Sequence, residues 1–305
     1  MMQFFTITNI NFIKYRMIAI GFSLAIILLS LAFLIAHKGP NMAIDFSGGT
    51  LVQIKFEKPV HPDLGKVRQI ISGLDFGSPE VKTIGAIANN EIQITVKKKS
   101  EGTYVSDEIR RALETKYKEN PFELRRQEQV GPKVGGELRM NSIIAVILSL
   151  VALLIYIGVR FNLPFGVAAI VPLFHDVTIA LSAFFFLNME ISLSTLAALL
   201  TIAGYSLNDT IVIFDRIREN MRSGAMRNKS FEDLVNTSIN QTLSRTIITF
   251  VAMLFVVVPL YALGGESIKD FSLAMLVGTV AGVYSTVYIA SPILIWWNKR
   301  WAITK

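Results

Sequence analysis

The feature that most constrains this chain is a series of long apolar runs. The hydrocarbon core of a bilayer is about 30 Å thick, and an α-helix crosses it with about 20 residues. Six runs have roughly this length: Met17–Ala36, Ile143–Val159, Pro164–Leu187, Leu193–Phe214, Thr246–Leu263 and Phe271–Trp297. We therefore predict six transmembrane helices, of which the last either tilts or emerges at its Trp296–Trp297 end, because its run exceeds one bilayer thickness. A content of 52% apolar and 17% charged residues excludes an ordinary soluble enzyme.

The first run could also be the apolar region of a signal peptide. Such a region is shorter, and a small-residue cleavage site follows it. Met17–Ala36 has the length of a full span and follows Lys14 and Arg16. We therefore interpret this run as a retained membrane anchor.

Composition excludes several kinds of site. The sequence contains no cysteine, which rules out disulfides, thiolate metal sites and cysteine nucleophiles. The three histidines, His37, His61 and His175, have no metal-ligand spacing, so we expect neither a metal nor a cofactor. We also expect no nucleic-acid partner, because basic residues beside membrane spans account for the net charge of +7.

Basic residues in the short loops predict the orientation, because Lys and Arg are enriched on the cytoplasmic side. One side of the predicted membrane region holds most of them: Lys14, Arg16, Arg160, Arg216, Arg218, Arg222, Arg227, Lys229, Lys299, Arg300 and Lys305. In the opposite short loops, around Asn188–Met189 and Gly264–Asp270, Lys269 is the only basic residue. We therefore predict cytoplasmic termini and a cytoplasmic loop near residues 215–242. Residues 1–36 form the first anchor, 37–140 an outside domain, and 141–305 the remaining spans.

The outside stretch shows alternating strand and helix patterns. Period-two alternation predicts strands at Thr50–Phe56, Val81–Ala88, Glu91–Lys97 and Phe122–Gln129, with a hairpin turn at Asn89–Asn90. Helical spacing covers Pro62–Ser72 and a second segment that ends near Lys118, for which Ser106 is the predicted N-cap. The order β-α-β-β-α-β is that of the ferredoxin-like, split βαβ motif. We predict an α+β domain with this fold.

Asp209 is the most informative residue inside the apolar runs, because an ionisable group within a membrane span is costly and usually functional. Arg245 lies near the cytoplasmic start of the fifth run, at a similar expected depth, so the two side chains could pair between helices. Polar residues surround them in sequence: Ser206, Asn208, Thr210, Thr242 and Ser244.

Two hypotheses fit this pair. Asp209 and Arg245 could form a static buried ion pair that fixes helix packing, although desolvation can exceed the attraction in such pairs. Alternatively, Asp209 could alternate between an ionised state beside Arg245 and a protonated state away from it, and so carry a proton.

Two further aspartates lie near the spans. Asp176, beside His175 in the third run, either hydrogen-bonds to a neighbouring helix or belongs to a proton path that includes Ser206, Asn208 and Thr210. Asp215 lies where the fourth span meets the basic loop, and we expect it to pair with a nearby arginine, either Arg216 or Arg218.

Glycines mark two junctions and one helix face. The segments that flank the outside domain contain Gly48, Gly49, Gly131, Pro132 and Gly135, which permit either a well-formed junction or a hinge. In the last span, small residues recur every four positions: Ala274, Gly278, Gly282, Thr286 and Ala290. This spacing predicts close helix packing around Gly278 and Gly282.

Four segments, in order along the chain, carry a resemblance to a known family. They are Asp45–Thr50 (DFSGGT), Gly131–Leu138 (GPKVGGEL), Gly204–Asn220 (GYSLNDTIVIFDRIREN) and Gln241–Thr246 (QTLSRT). Together they resemble SecF, the smaller partner of the SecD/SecF protein-export pair in the resistance-nodulation-division (RND) superfamily.

The resemblance implies an inner-membrane protein of six spans with a periplasmic domain and an obligate SecD partner, which would supply the second half of the duplicated RND architecture. It also implies action on preproteins after their passage through the SecYEG channel, driven by the proton motive force through Asp209 and Arg245. The expected partners are therefore a SecD-like subunit, SecYEG, an unfolded preprotein and the lipid bilayer, and no enzymatic activity is expected.

Other functions remain open at this point. The chain could be a scaffold of the translocon that handles no protons, or a subunit of an RND small-molecule exporter. Asp176 and Asp209 could also form an intramembrane protease dyad, but such a dyad must share one proton at close range, and Arg245 would oppose that.

Overall fold

The computed structural model describes residues 9–60, 64–74, 76, 79–84, 89–97, 104–224 and 229–301. The chain divides into two compact units. One comprises Met42–Ala145 together with Glu190–Leu193, and the other comprises the described parts of Met1–Asn41, Val146–Met189 and Ser194–Lys305. We call them the α+β unit and the helical unit.

The α+β unit contains a four-stranded antiparallel sheet. After the short helix α2 (Ile44–Ser47), its elements are β1 (Gly49–Phe56), α3 (Leu64–Ser72), β2 (Glu80–Ile84), β3 (Glu91–Val96), α4 (Tyr104–Lys116) and β4 (Phe122–Val130). The strand order is β2-β3-β1-β4, with every neighbouring pair antiparallel. This order confirms the predicted ferredoxin-like fold.

Alternation along the strands builds the core of this unit. Val52, Ile54 and Phe56 of β1 are each 1% exposed and pack with apolar side chains of α3 and α4. The predicted N-cap Ser106 is wrong, because α4 begins at Tyr104 and Ser106 lies in its first turn. Its buried hydroxyl accepts a hydrogen bond of 2.6 Å from the Gln127 amide of β4 instead. Predicted element residues 62, 63 and 85–88 lie outside the described ranges.

Within the described residues, six helical stretches are long and apolar enough to cross a membrane, which confirms the predicted number. They are formed by α1 (Arg16–Ala36), α5 (Pro132–Arg160), α6 (Leu163–Phe186), α7 (Leu193–Ser223), α8 (Phe231–Leu263) and the pair α9 (Glu266–Ser285) and α10 (Ser291–Trp301). A π-helical turn, Thr286–Ala290, joins α9 to α10.

Several helices continue beyond the apolar runs. α7 extends to Ser223 and α8 begins at Phe231, so most of the loop predicted near residues 215–242 is helical. Polar contacts support these ends: Arg216 pairs with Glu219 at 2.7 Å, and the Ser230 hydroxyl caps α8 by accepting from the Asp233 N–H at 3.1 Å. Apolar run length marks the membrane-crossing part of a helix, but not the point where it ends.

Burial separates the spans into inner and outer helices. In the most apolar windows of α6 and α7 half of the residues are buried, and in that of the last span 67% are. The corresponding values for α1, α5 and α8 are 17%, 6% and 11%. Several polar residues of α6, α7 and α9 are buried in the interior of the helical unit, among them His175, Asp176, Ser206, Asp209 and Ser285.

Candidate functional site

Asp209 lies on α7 in the interior of the helical unit. It is 2% exposed, and its Oδ2 atom has no hydrogen-bond partner among the described residues. The Thr249 side chain of α8 lies beside the carboxylate. The Thr249 hydroxyl, however, is also bonded to the Arg245 and Thr246 carbonyls at 3.1 and 3.0 Å. Asp209 is thus a buried carboxylate with an unsatisfied oxygen, which is costly in an apolar interior.

Arg245 lies on α8, close enough to attract the charge of Asp209. The two described side chains form no ion pair within 4.0 Å, and Arg245 is exposed on the surface of the helical unit. The predicted partners are therefore neighbours across α7 and α8, but they are not locked together. An arrangement of this kind leaves room for a change in the pairing of Asp209.

Asp176 has a different environment. It is 0% exposed, and its Oδ2 atom accepts hydrogen bonds from the hydroxyls of Ser206 on α7 and Ser285 on α9, at 2.5 and 2.8 Å. Its Oδ1 atom lies 2.8 Å from Nδ1 of His175. A fixed carboxylate with three partners therefore joins α6, α7 and α9.

A polar chain continues from His175 to α1. The Nε2 atom of His175 lies 3.0 Å from the Ser23 hydroxyl, which lies 3.1 Å from the Tyr284 hydroxyl. Tyr284 donates to the Ala19 carbonyl at 2.5 Å. Sequence analysis missed Ser23, Tyr284 and Ser285, because single hydroxyls in apolar runs resemble ordinary packing residues.

The structure places the other residues of the predicted proton path in different environments. Thr210 is buried, and its hydroxyl contacts that of Thr286 at 3.1 Å, at the start of the π-helical turn. Asn208 is exposed. Asp215 pairs with Arg160 at 2.6 Å and with Arg218 at 3.8 Å, so its nearest partner comes from α5.

The junction glycines lie in the α+β unit. Gly48 and Gly49 have φ values of +71° and +142°, which side-chain-bearing residues rarely adopt. Pro132 begins α5, and a Cβ at Gly135 would lie 2.9 Å from the backbone nitrogen of Gly48. The two segments therefore contact each other directly.

The loop between α6 and α7 contributes residues that the sequence did not reveal. The Leu193 N–H, at the start of α7, donates to Oδ2 of Asp45 at 3.0 Å, and the Ala43 N–H donates to the Ile191 carbonyl at 3.0 Å. Glu190 lies 3.9 Å from Lys82 and 4.0 Å from Lys97, and burial raises its pKa although both lysines oppose the shift. A lone Glu in a short loop gave no signal of this contact.

In the last span, glycines allow close approach to α7. A Cβ at Gly278 would collide with the Ile202 side chain, and one at Gly282 would lie 3.2 Å from Cβ of Ser206. Ser206 donates to Asp176, so Gly282 lies directly behind the hydrogen-bonded cluster. Among the described residues, no group of three or more His, Asp or Glu side chains could hold a metal ion.

Comparison with known families identifies the chain. The family description "Protein export membrane protein SecD/SecF, C-terminal" matches residues 110–300, and "SecD/SecF GG Motif" matches residues 33–60, which include Asp45, Gly48 and Gly49. The chain belongs to the SecF family of protein translocase subunits.

Relatives in the SecF family match nearly the whole chain. Protein translocase subunit SecF of Calditerrivibrio nitroreducens is 40% identical over 93% of this chain and 92% of its own length. SecF of Magnetococcus marinus is 42% identical (97% and 94%), and SecF of Pseudomonas aeruginosa is 39% identical (96% and 92%).

Solved structures of SecDF show the same fold. The crystal structure of SecDF from Thermus thermophilus, a translocon-associated membrane protein, is 34% identical with a TM-score of 0.85 over 96% of this chain. A second SecDF structure, in a super-membrane-facing form, matches 97% of this chain with a TM-score of 0.70. The chain spans about two fifths of these proteins, 39% and 40%.

Proposed function

We propose that this SecF-family chain uses the proton motive force, together with a SecD-like partner, to promote late steps of preprotein export across the bacterial inner membrane. The observation that supports the proposal is the state of Asp209. A buried carboxylate with an unsatisfied oxygen, near an arginine that does not lock it, is suited to bind and release a proton.

In the proposed cycle of proton binding and release, Arg245 controls the protonation of Asp209. When it approaches Asp209, it stabilises the ionised carboxylate and releases the proton, and when it withdraws, the apolar surroundings favour the neutral acid. Movement of α7 against α8 would then follow the protonation of Asp209. One charge that crosses 100 mV is worth about 2.3 kcal/mol, which is sufficient to bias two conformations of similar energy.

The orientation follows from the basic loops. We place both termini in the cytoplasm and residues 37–140 in the periplasm, so that the α+β unit meets a preprotein that emerges from SecYEG. This chain covers only 39% of a SecDF chain, which supports a SecD-like partner that supplies the remaining part of the assembly within the bilayer. The glycine junction at Gly48, Gly49, Gly131, Pro132 and Gly135 is proposed to transmit motion between membrane helices and the α+β unit.

Export from membrane vesicles under an imposed proton gradient tests this function. We would compare wild type with Asp209→Asn and Arg245→Met, in complexes shown to contain the SecD-like partner. Asp215→Asn is the matched control, because it removes a carboxylate from the same helix at an exposed ion pair with Arg160.

We expect Asp209→Asn and Arg245→Met to reduce export to the level measured without a gradient, and Asp215→Asn to retain the response. Gradient-dependent export by an assembled Asp209→Asn complex would contradict the proposal and favour a scaffold that handles no protons.

A further inference from the structure

The hydrogen-bond directions in the chain from Ala19 to Asp176 fix where its protons lie. A carbonyl oxygen only accepts, so at 2.5 Å the Tyr284 hydroxyl donates its single proton to Ala19. The contact of 3.1 Å between Tyr284 and Ser23 then needs a proton from Ser23. The only proton of Ser23 is thereby used.

The same reasoning determines the state of the His175 ring. Its Nε2 atom lies 3.0 Å from the Ser23 oxygen, which has no proton left to donate, so Nε2 must donate to it. The contact of 2.8 Å between Nδ1 and Oδ1 of Asp176 requires a second proton, carried by either atom. A neutral imidazole beside an ionised carboxylate holds one proton, whereas this pair holds two.

Charge supports the same conclusion. The described residues give Asp176 three partners, and of these only His175 can carry a positive charge. With two protons the pair has no net charge, either as imidazolium and carboxylate or as imidazole and carboxylic acid. An uncompensated carboxylate at 0% exposure in a membrane span would be far more costly.

We propose that His175 and Asp176 together form a second proton-binding site, separate from Asp209 and connected to α1 through Ser23 and Tyr284. The titratable groups that face the pair are Tyr284, whose ring stacks on His175 with centroids 6.0 Å apart, and Tyr288 behind it, 5.3 Å from Tyr284. Neither supplies a positive charge.

Release of this proton would rearrange the polar chain. With one proton, Nε2 becomes an acceptor, and Ser23 must turn its hydroxyl from Tyr284 towards His175 to satisfy it. The bond that Ser23 of α1 donates to Tyr284 of α9 would then be lost, and only the bond from Tyr284 to the Ala19 carbonyl would remain between them. The site therefore links the protonation state of α6 to contacts between two other helices. Its part in export rests on the proposed function, but its existence does not.

Nitrogen NMR of the histidine rings tests the site directly. The full chain, labelled with ¹⁵N-histidine in lipid nanodiscs, has only three histidines, and His175→Gln identifies the signal of interest. The measured quantity is the presence of a proton on Nε2 of His175 at pH about 7, the protonation that a ¹⁵N shift distinguishes. We expect that proton in wild type and in the control Asp215→Asn, with the second proton between Nδ1 and the Asp176 carboxyl group, whose ionisation the ¹³C shift of its Cγ reports.

Two results would overturn the proposal. An unprotonated Nε2 in wild type would show that the pair lacks the second proton, and this measurement needs no substituted protein. A proton on Nε2 alone, beside an Asp176 carboxyl group whose ¹³C shift is that of an ionised carboxylate, would show that the pair holds only one proton. Neither result depends on transport, so failure of the Asp209 export experiment leaves the NMR test valid, and the reverse is also true.

Discussion

At the scale of single residues, the two buried carboxylates of the helical unit differ in their hydrogen bonding. Asp176 has three hydrogen-bond partners from three helices, whereas Asp209 keeps an oxygen without one. Satisfied polar networks fix a structure, and unsatisfied buried groups are sites where a change of state is favoured. This contrast supports the proposal that Asp209 changes its pairing, and it shows that the side chain of Asp176 is held in position.

Adjacent glycines at the start of α5 give a matched pair of substitutions. A methyl group at Gly135 would press on the Gly48 backbone, whereas one at Gly136 would meet nothing within 4 Å. We expect Gly135→Ala to destabilise the protein by about 1–3 kcal/mol through overpacking. Gly136→Ala should be neutral or stabilise it by up to about 1 kcal/mol. Thermal unfolding in detergent measures both, and equal midpoints for the two variants would contradict the close contact.

Glu190 should make the stability of the α+β unit depend on pH. Burial raises its pKa in the folded unit, so its protonated form is favoured there relative to the unfolded chain. Lys82 and Lys97 oppose the shift, and Glu80 adds to it. The stability linked to this group is present at low pH and is lost as the pH rises through the folded pKa.

The neutral variant Glu190→Gln isolates this effect. We expect it to unfold at a higher temperature than wild type at about pH 7.5, and at the same temperature at about pH 4, where Glu190 itself is protonated. A lower midpoint for Glu190→Gln at neutral pH would mean that the lysine contacts at 3.9 and 4.0 Å outweigh the burial.

Sequence patterns identify which charged residues lie inside the membrane spans, but they do not predict which residues surround them. Asp176 and Asp209 stand out because each interrupts an apolar run. The partners of Asp176 do not, because Ser206 and Ser285 lie 30 and 109 residues from it, and only the packing of α7 and α9 on α6 brings them together. The distance between Asp209 and Arg245 depends on how α7 and α8 pack, which no local pattern specifies.

At the scale of elements, α9 approaches α7 through its glycines. Gly278→Ala would drive a methyl group into Ile202, which is 1% exposed, and we expect a loss of about 1–3 kcal/mol. Gly204→Ala, on α7 with open space around it, is the control and should change stability by no more than about 1 kcal/mol. Thermal unfolding of both variants tests whether the small-residue face is a packing surface.

Helix and strand periodicity predicted most elements of this chain. The period-two pattern gave all four strands, and in β1 it marks the face that lies in a core, with Val52, Ile54 and Phe56. Helix ends were less well predicted. α7 and α8 extend into polar sequence, where ion pairs and a cap rather than apolar periodicity hold the helix.

At the scale of the whole molecule, the chain matches one part of a longer protein. It spans 39% of the Thermus thermophilus SecDF chain, with which it shares its fold. The helices α1, α5 and α8 bury few residues within the chain, which leaves their apolar faces for lipid or for the SecD-like partner. Proton movement should therefore be measured in the complete hetero-complex.

Proton entry into liposomes is the measurement that tests the central claim most directly. Complexes of this chain and its SecD-like partner, reconstituted around a pH-sensitive dye, would receive an acid pulse and a membrane potential. We predict faster internal acidification for wild type and for Asp215→Asn than for Asp209→Asn, because only the last removes the group that carries the proton. Equal rates for wild type and an assembled Asp209→Asn complex would contradict proton coupling through Asp209.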